Sequence, residues 1–266
     1  ARLNGENPIA SLAKQTLGGA RVKGALFVPC FVDAFFPEIG IATLELLERF
    51  GVEVEYPLDQ TCCGQPAIHA GYVKKAKESA KHFIEVFGED EAVVCPSGSC
   101  VCTVKDRYPE LLQDEPDWRR RAEALALRVY EFSQYLVDVL QVEDVGGAYA
   151  GKVAYHESCR VLRGLGVSEQ PKKLIRAVKG GELVHMQSAE VCCGFGGEFS
   201  TSYPEISEAL VSEKAANYIA SGADVLVACD PGCLLNIGGY LHRHHPDKTA
   251  LHIASFLAEA IQDGKR

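Results

Sequence analysis

Residues 24–30 read GALFVPC, and residues 152–159 read KVAYHESC. Each is a short apolar run that ends at a cysteine, and the first is bounded by Gly and Pro, the pattern of a buried strand. The segments after the two runs are also alike. Residues 41–50 (IATLELLERF) predict a helix stopped by Gly51, and residues 171–178 predict one stopped by Gly180 and Gly181. A second strand is expected over 52–56 in the first half and over 183–185 in the second.

The phrases Cys62-Cys63-Gly64-Gln65-Pro66 and Cys192-Cys193-Gly194-Phe195-Gly196-Gly197 come next, each leading into an Ala-bearing helical stretch, 72–87 and 204–220. Both halves then give an apolar strand (92–95 and 225–229), a Pro-containing turn, and a cysteine opening a helix, Cys100 or Cys233. From Cys30/Cys159 through Cys62/Cys192 to Cys100/Cys233 the offset between halves drifts by only four residues. Alternating strands and helices written twice predict an α/β fold of two duplicated Rossmann-like units, mainly parallel, related by a pseudo-two-fold axis. The first unit is expected over residues 1–145, with a charged helical linker over 110–140, and the second over 146–266; Gly146, Gly147 and Gly151 mark the boundary.

Composition narrows the function. With 266 residues the chain can bury an ordinary core without cross-links, so its eleven cysteines call for a chemical reason. Their odd number argues against a closed set of disulfides, and the opening ARLNGENPIASLAKQ lacks a secretory pattern, so a reducing cytoplasm is expected. No apolar run reaches transmembrane length, so membrane contact would come through partners. The net charge of -9 disfavours nucleic acid; Arg119, Arg120 and Arg121 read as a solvated helix face.

Each half presents one cysteine after a strand, an adjacent pair in a Gly-bearing turn, and one at a helix start. Cys30, Cys62, Cys63 and Cys100 form the first candidate ligand set; Cys159, Cys192, Cys193 and Cys233 form the second. The carboxyl ends of parallel strands share one edge, where ligand sites gather. Helix N-termini favour thiolate at Cys100 and Cys233, and Gly64, Gly194, Gly196 and Gly197 can take positive φ and bring backbone amides to sulfur. Structural zinc is the competing metal, but its sites favour paired C-x₂₋₄-C knuckles in small folds. Buried structural thiols explain a stray cysteine such as Cys102, not a duplicated pattern.

Among other residues, His69 and His156 stand near the cysteines, either as structural histidines or as a hydrogen-bond donor or ligand to a cluster. His242, His244 and His245 read as a helix end and loop. No dinucleotide fingerprint, P-loop, Ser nucleophile or H-E-x-x-H motif is present.

The phrases VPCFVD (28–33), TCCGQPA (61–67), PSGSC (96–100), CCGFGGEFS (192–200) and DPGCLLNI (230–237) resemble the cysteine-rich CCG-domain family, most closely its lactate-utilisation members. The resemblance implies an iron–sulfur electron-transfer subunit of a multi-subunit 2-hydroxy-acid dehydrogenase, L-lactate to pyruvate, with two [4Fe–4S] clusters. The implied partners are the other subunits, a further iron–sulfur subunit among them. Heterodisulfide reductase also carries this domain, so a thiol–disulfide reductase is the alternative. The family's closing C-x-x-C has Ser97 or Asp230 at its first cysteine here, which favours four ligands per set; Cys95 and Cys229, just upstream, are the candidate fifth ligands.

Overall fold

The computed structural model describes residues 22–264; the start of the chain, expected to lack a secretory pattern, lies outside them. Strands β1 (Val22–Leu26), β2 (Val52–Glu55), β3 (Val93–Cys95) and β4 (Val129–Glu131) make one sheet, ordered β2-β1-β3-β4. Strands β5 (Ala148–His156), β6 (Lys179–Val184), β7 (Val225–Ala228) and β8 (Thr249–His252) make a second, ordered β6-β5-β7-β8. Every pairing is parallel. The unit is therefore built twice with one topology, as the repeat in the sequence predicts.

Residues Val93–Cys95 and Val225–Ala228 are buried throughout because both sheet faces are covered, which is why the central strands read as unbroken apolar runs. On one face each unit keeps its own core: Phe27, Phe83, Phe87, Tyr108 and Leu125 in the first, Val211, Tyr218, Leu226, Ile237 and Leu241 in the second. On the other face the two units share a core, with Leu26, Leu46, Val94, Phe132 and Leu136 packed among Val153, Val161, Leu174, Val227, Ile253 and Leu257. Helix Pro37–Arg49 packs on helix Ile253–Asp263, and helix Glu169–Ala177 packs on the helical stretch 132–139. In each pair the helix after a unit's first strand meets the helix after the other unit's last strand, the exchange a two-fold relation produces.

Two expectations are corrected. The segment 110–140 is not a linker, since Val129–Glu131 is the fourth strand of the first sheet and the helical turns after it enter the shared core. Gly180 and Gly181 do not stop the preceding helix; it ends at Ala177, and both glycines lie in edge strand β6. The arginine run meets its expectation: Arg119 and Arg120 pair with Glu123 and Asp117 on an exposed helix face, and Arg121 stacks on Trp118.

The units also meet where helix Gly98–Cys102 crosses the π-helical turn Arg160–Gly164. A Cβ on Gly98 would come within 2.1 Å of the Val161 side chain, which is fully buried and β-branched. Gly98→Ala is therefore expected to cost about 1–3 kcal/mol in urea unfolding of the full chain, whereas Gly239→Ala, where the nearest atom is the tip of Arg243, should be close to neutral.

Candidate metal centre

In each unit three strand ends deliver the four sulfurs. Cys30 follows β1, the Cys62–Cys63 pair follows β2, and Cys100 is the third residue of the helix after β3. Cys159, Cys192–Cys193 and Cys233 repeat those places after β5, β6 and β7. The glycine after each pair turns left-handed, with φ of 78° at Gly64 and 85° at Gly194; Gly196 and Gly197 also take positive φ, as expected. At Gly194 an added Cβ would meet the Ser207 carbonyl at 2.6 Å, so only glycine lets the turn lie against the helix behind it. The turn aims an amide at sulfur: Gly194 N–H donates to Cys192 Sγ at 3.4 Å, and the Gly64 amide bonds Cys62.

The two sets face one space. All eight cysteines line a single cavity of about 930 Å³ lying between the units. The inner sulfurs are buried, with Cys63 and Cys193 2% exposed and Cys100 and Cys233 7%, while Cys30 is exposed and Cys62, Cys159 and Cys192 are half-buried. Cys30 Sγ lies 3.6 Å from Cys62 Sγ. Hydrogen bonds from the Cys30 and Cys63 thiols bring Cys62 down to about 3, and bonds from Cys159 and Cys193 bring Cys192 down to about 2. Cys100 and Cys233 are held low by the Cys63 and Cys193 thiols, and the donating partners are pushed up in turn. Neighbouring sulfurs within each set are thus in hydrogen-bond contact, and a metal would displace the protons between them.

Asp230, read from the sequence only as a missing cysteine, ties the sets together. Its Oδ1 accepts from Gly232 N–H at 3.0 Å and Cys233 N–H at 3.4 Å, capping helix Pro231–His244. Its Oδ2 accepts from Ser99 N–H at 2.8 Å and the Ser97 hydroxyl at 3.4 Å, reaching the first turn of the helix that carries Cys100. Burial, with Cys233 nearby, pushes the carboxyl up to about 7 despite these donors. Across the cavity Phe31 and Phe195 meet edge to face at 5.5 Å, and Arg160 reaches His69 at 3.5 Å.

The candidate fifth sulfurs do not line the cavity. Cys95 is buried at the end of β3, its thiol 3.7 Å from the Ser97 carbonyl and next to Cys100. Cys229 points toward the shared core, 3.4 Å from the Tyr155 hydroxyl and 3.9 Å from Ser133 Oγ, with Glu131 beside it. Cys102 packs under Gly164, 3.1 Å from Asp106. His69 lines the cavity, its pKa lowered by burial and by Arg160. His156 lies fully buried behind Cys193 and Cys233. Helix Pro231–His244 ends at His244, as expected.

Sets of four soft donors with amides turned toward sulfur fit an iron–sulfur cluster; tetrahedral zinc takes the same donors. The helix dipoles at Cys100 and Cys233 and the amides suit a group of net negative charge.

The chain is similar to the lactate utilization proteins A of Exiguobacterium sp. (48% identity over 90% of this chain and 98% of that one) and Geobacillus kaustophilus (48%, over 89% and 98%). A crystal structure of a hypothetical protein from Helicobacter pylori superposes with a TM-score of 0.57 at 11% identity, covering all of this chain and 57% of that one, and shows the fold alone. The cysteine-rich domain (CCG) family matches residues 24–105 and 153–238, one match per unit, each holding all four of its cysteines. With two copies of that domain and such relatives, the chain belongs to the cysteine-rich CCG-domain family.

Proposed function

We propose that the chain is an iron–sulfur electron-transfer subunit of a system that oxidises a 2-hydroxy acid, with L-lactate to pyruvate as the reaction of the whole. The observation that carries this reading is the convergence of both four-cysteine sets on one cavity; the relatives' name supplies lactate. Clusters held there, two [4Fe–4S] by the donor count, supply one-electron exchange. The chain's own residues hold them: eight sulfurs ligate, the Gly64 and Gly194 amides lower the charge on sulfur, and Asp230 fixes the two helix starts. The two cysteine-rich units, proposed to span residues 1–145 and 146–266, share one core among the described residues rather than being joined as beads.

Substrate binding falls to partner subunits, among them a further iron–sulfur subunit. Exposed Phe35, Tyr72 and Val73, with Tyr203 and Ile206, offer apolar side chains for docking, and Tyr72 lies on the cavity rim. The proposed location is cytoplasmic, with any membrane contact made through partners; among the described residues no helix is long and apolar enough to cross a membrane. The thiol–disulfide reductase reading needs a fifth sulfur in each set; against it stands the setting of Cys229, turned to Tyr155 and Ser133.

Iron, acid-labile sulfide and zinc analysis of anaerobically purified chain tests the reading. About eight iron and eight sulfide per chain are expected from two four-iron clusters, bleached by L-lactate only when the partner subunits are present. Zinc without sulfide would refute it, and bleaching by lactate in the isolated chain would refute the division of labour.

A further inference from the structure

The two sets differ in what stands behind them. The first unit backs its cysteines with aromatic rings: Phe27, fully buried, meets Phe83 edge to face at 4.8 Å. The second replaces both rings with polar groups. The offset that carries Cys30 onto Cys159 carries Phe27 onto His156. In the helices behind the paired cysteines, Gly64 rests on Ala76 and Ser79 as Gly194 rests on Ser207 and Leu210, which carries Phe83 onto Lys214.

His156 is 0% exposed. Its Nδ1 lies 3.0 Å from the Ala189 carbonyl. A carbonyl only accepts, so Nδ1 carries the proton and Nε2 presents a lone pair. Nε2 makes no hydrogen bond of regular geometry, although the ring stands close enough to Cys233 to help hold its thiol low, and a ring nitrogen of His156 lies with the Sγ atoms of Cys193 and Cys233 in a triad whose members are all within 4.8 Å of one another. Lys214, 2% exposed, donates to the same Ala189 carbonyl at 3.3 Å and to the Ser188 carbonyl, fixing the acceptor that orients the ring. Two non-glycine residues hold left-handed backbone around this group, Ser158 with φ of 47° and Ser188 with φ of 54°. Such strain persists where surrounding structure imposes it, and it gathers at ligand sites.

An imidazole with one nitrogen tied to a backbone carbonyl and the other beside two cysteine sulfurs has the arrangement of a metal ligand. We propose that His156, through Nε2, takes one of the four ligand positions of the second site in place of a cysteine, so that this site binds its metal with three thiolates and an imidazole while the first site uses four thiolates. The inference rests on the iron–sulfur reading above. An imidazole in place of a thiolate removes one negative charge from the second site, and imidazole ligation raises cluster potentials. The second site is then the higher-potential one, and electrons pass from the first unit to the second.

The test uses the full chain, reconstituted anaerobically with ferrous iron and sulfide, as wild type, His156→Phe and His156→Cys. Iron and sulfide are counted first; their absence from the wild type would overturn the cluster reading and this inference with it. Pulsed electron paramagnetic resonance of the dithionite-reduced wild type should show a nitrogen coupling of the strength of a directly bound imidazole. ¹⁵N-histidine labelling should convert that coupling isotopically, a readout that needs no variant to fold. Both replacements should abolish the coupling and move the higher of two reduction waves downward, with the lower wave unmoved. A full complement of iron and sulfide with only the weak coupling of a hydrogen-bonded ring would overturn the inference and leave the clusters standing. So would His156→Phe with both the strong coupling and the higher wave intact.

Discussion

Replacing Cys193 with serine is expected to empty one site and leave the other filled, so that iron falls from about eight to about four per chain, the content of one four-iron cluster. Cys63→Ser should remove the other half, and the double variant all of it. Both sulfurs are 2% exposed and stand at the centre of their hydrogen-bonded chains, Cys63 between Cys62 and Cys100, Cys193 between Cys192 and Cys233. A serine hydroxyl in either place is a hard, weakly acidic donor where a soft thiolate is required. Because each set is drawn wholly from one unit's strand ends, loss at one should spare the other. Iron and sulfide analysis after anaerobic purification reads the outcome. Complete loss in a single variant would mean that the common cavity holds one shared group rather than two.

Asp230→Ala should lower stability by about 2–4 kcal/mol in urea unfolding of the metal-free chain, because it removes an N-cap and leaves several buried donors without an acceptor. The carboxylate takes four hydrogen bonds, two on its own helix and two from Ser97 and Ser99 of the other unit. Both recipient helices carry a cysteine in their first turn, so iron loading at both sites should fall as well. Asp230→Asn keeps one acceptor oxygen but turns an amide toward a donor on the other side, and an intermediate loss is expected. A change below about 0.5 kcal/mol for alanine, the range of an ordinary surface substitution, would show that the units are not joined through this side chain.

The eight cysteines were legible because the repeat is: apolar strand, cysteine, and glycine turn recur in one order, and the central strands are doubly buried and so unmistakably apolar. The fourth strand of each unit escaped notice for physical reasons. Val129–Glu131 is three residues long and embedded in charged helix formers, and Thr249–His252 is a four-residue edge strand with only its last residue buried. Gly180 and Gly181 signal a stop in any sequence reading, yet an edge strand tolerates them. The meeting of both sets at one cavity depends on how two sheets face each other across a shared core, and no local pattern encodes that. Asp230 could have been found, since Asp-Pro-Gly-Cys is a helix-capping phrase. His156 could be named from its distance to Cys159, but its free nitrogen is fixed by Ala189, thirty-three residues away.

Two separate clusters sharing one cavity are tested by electron paramagnetic resonance of the fully reduced chain beside the Cys63→Ser and Cys193→Ser variants. Two nearby reduced clusters interact magnetically, so the wild-type spectrum should be broadened and split relative to the sum of the two single-site spectra. A wild-type spectrum equal to that sum would place the clusters too far apart for this cavity, and a chain without iron would remove them altogether.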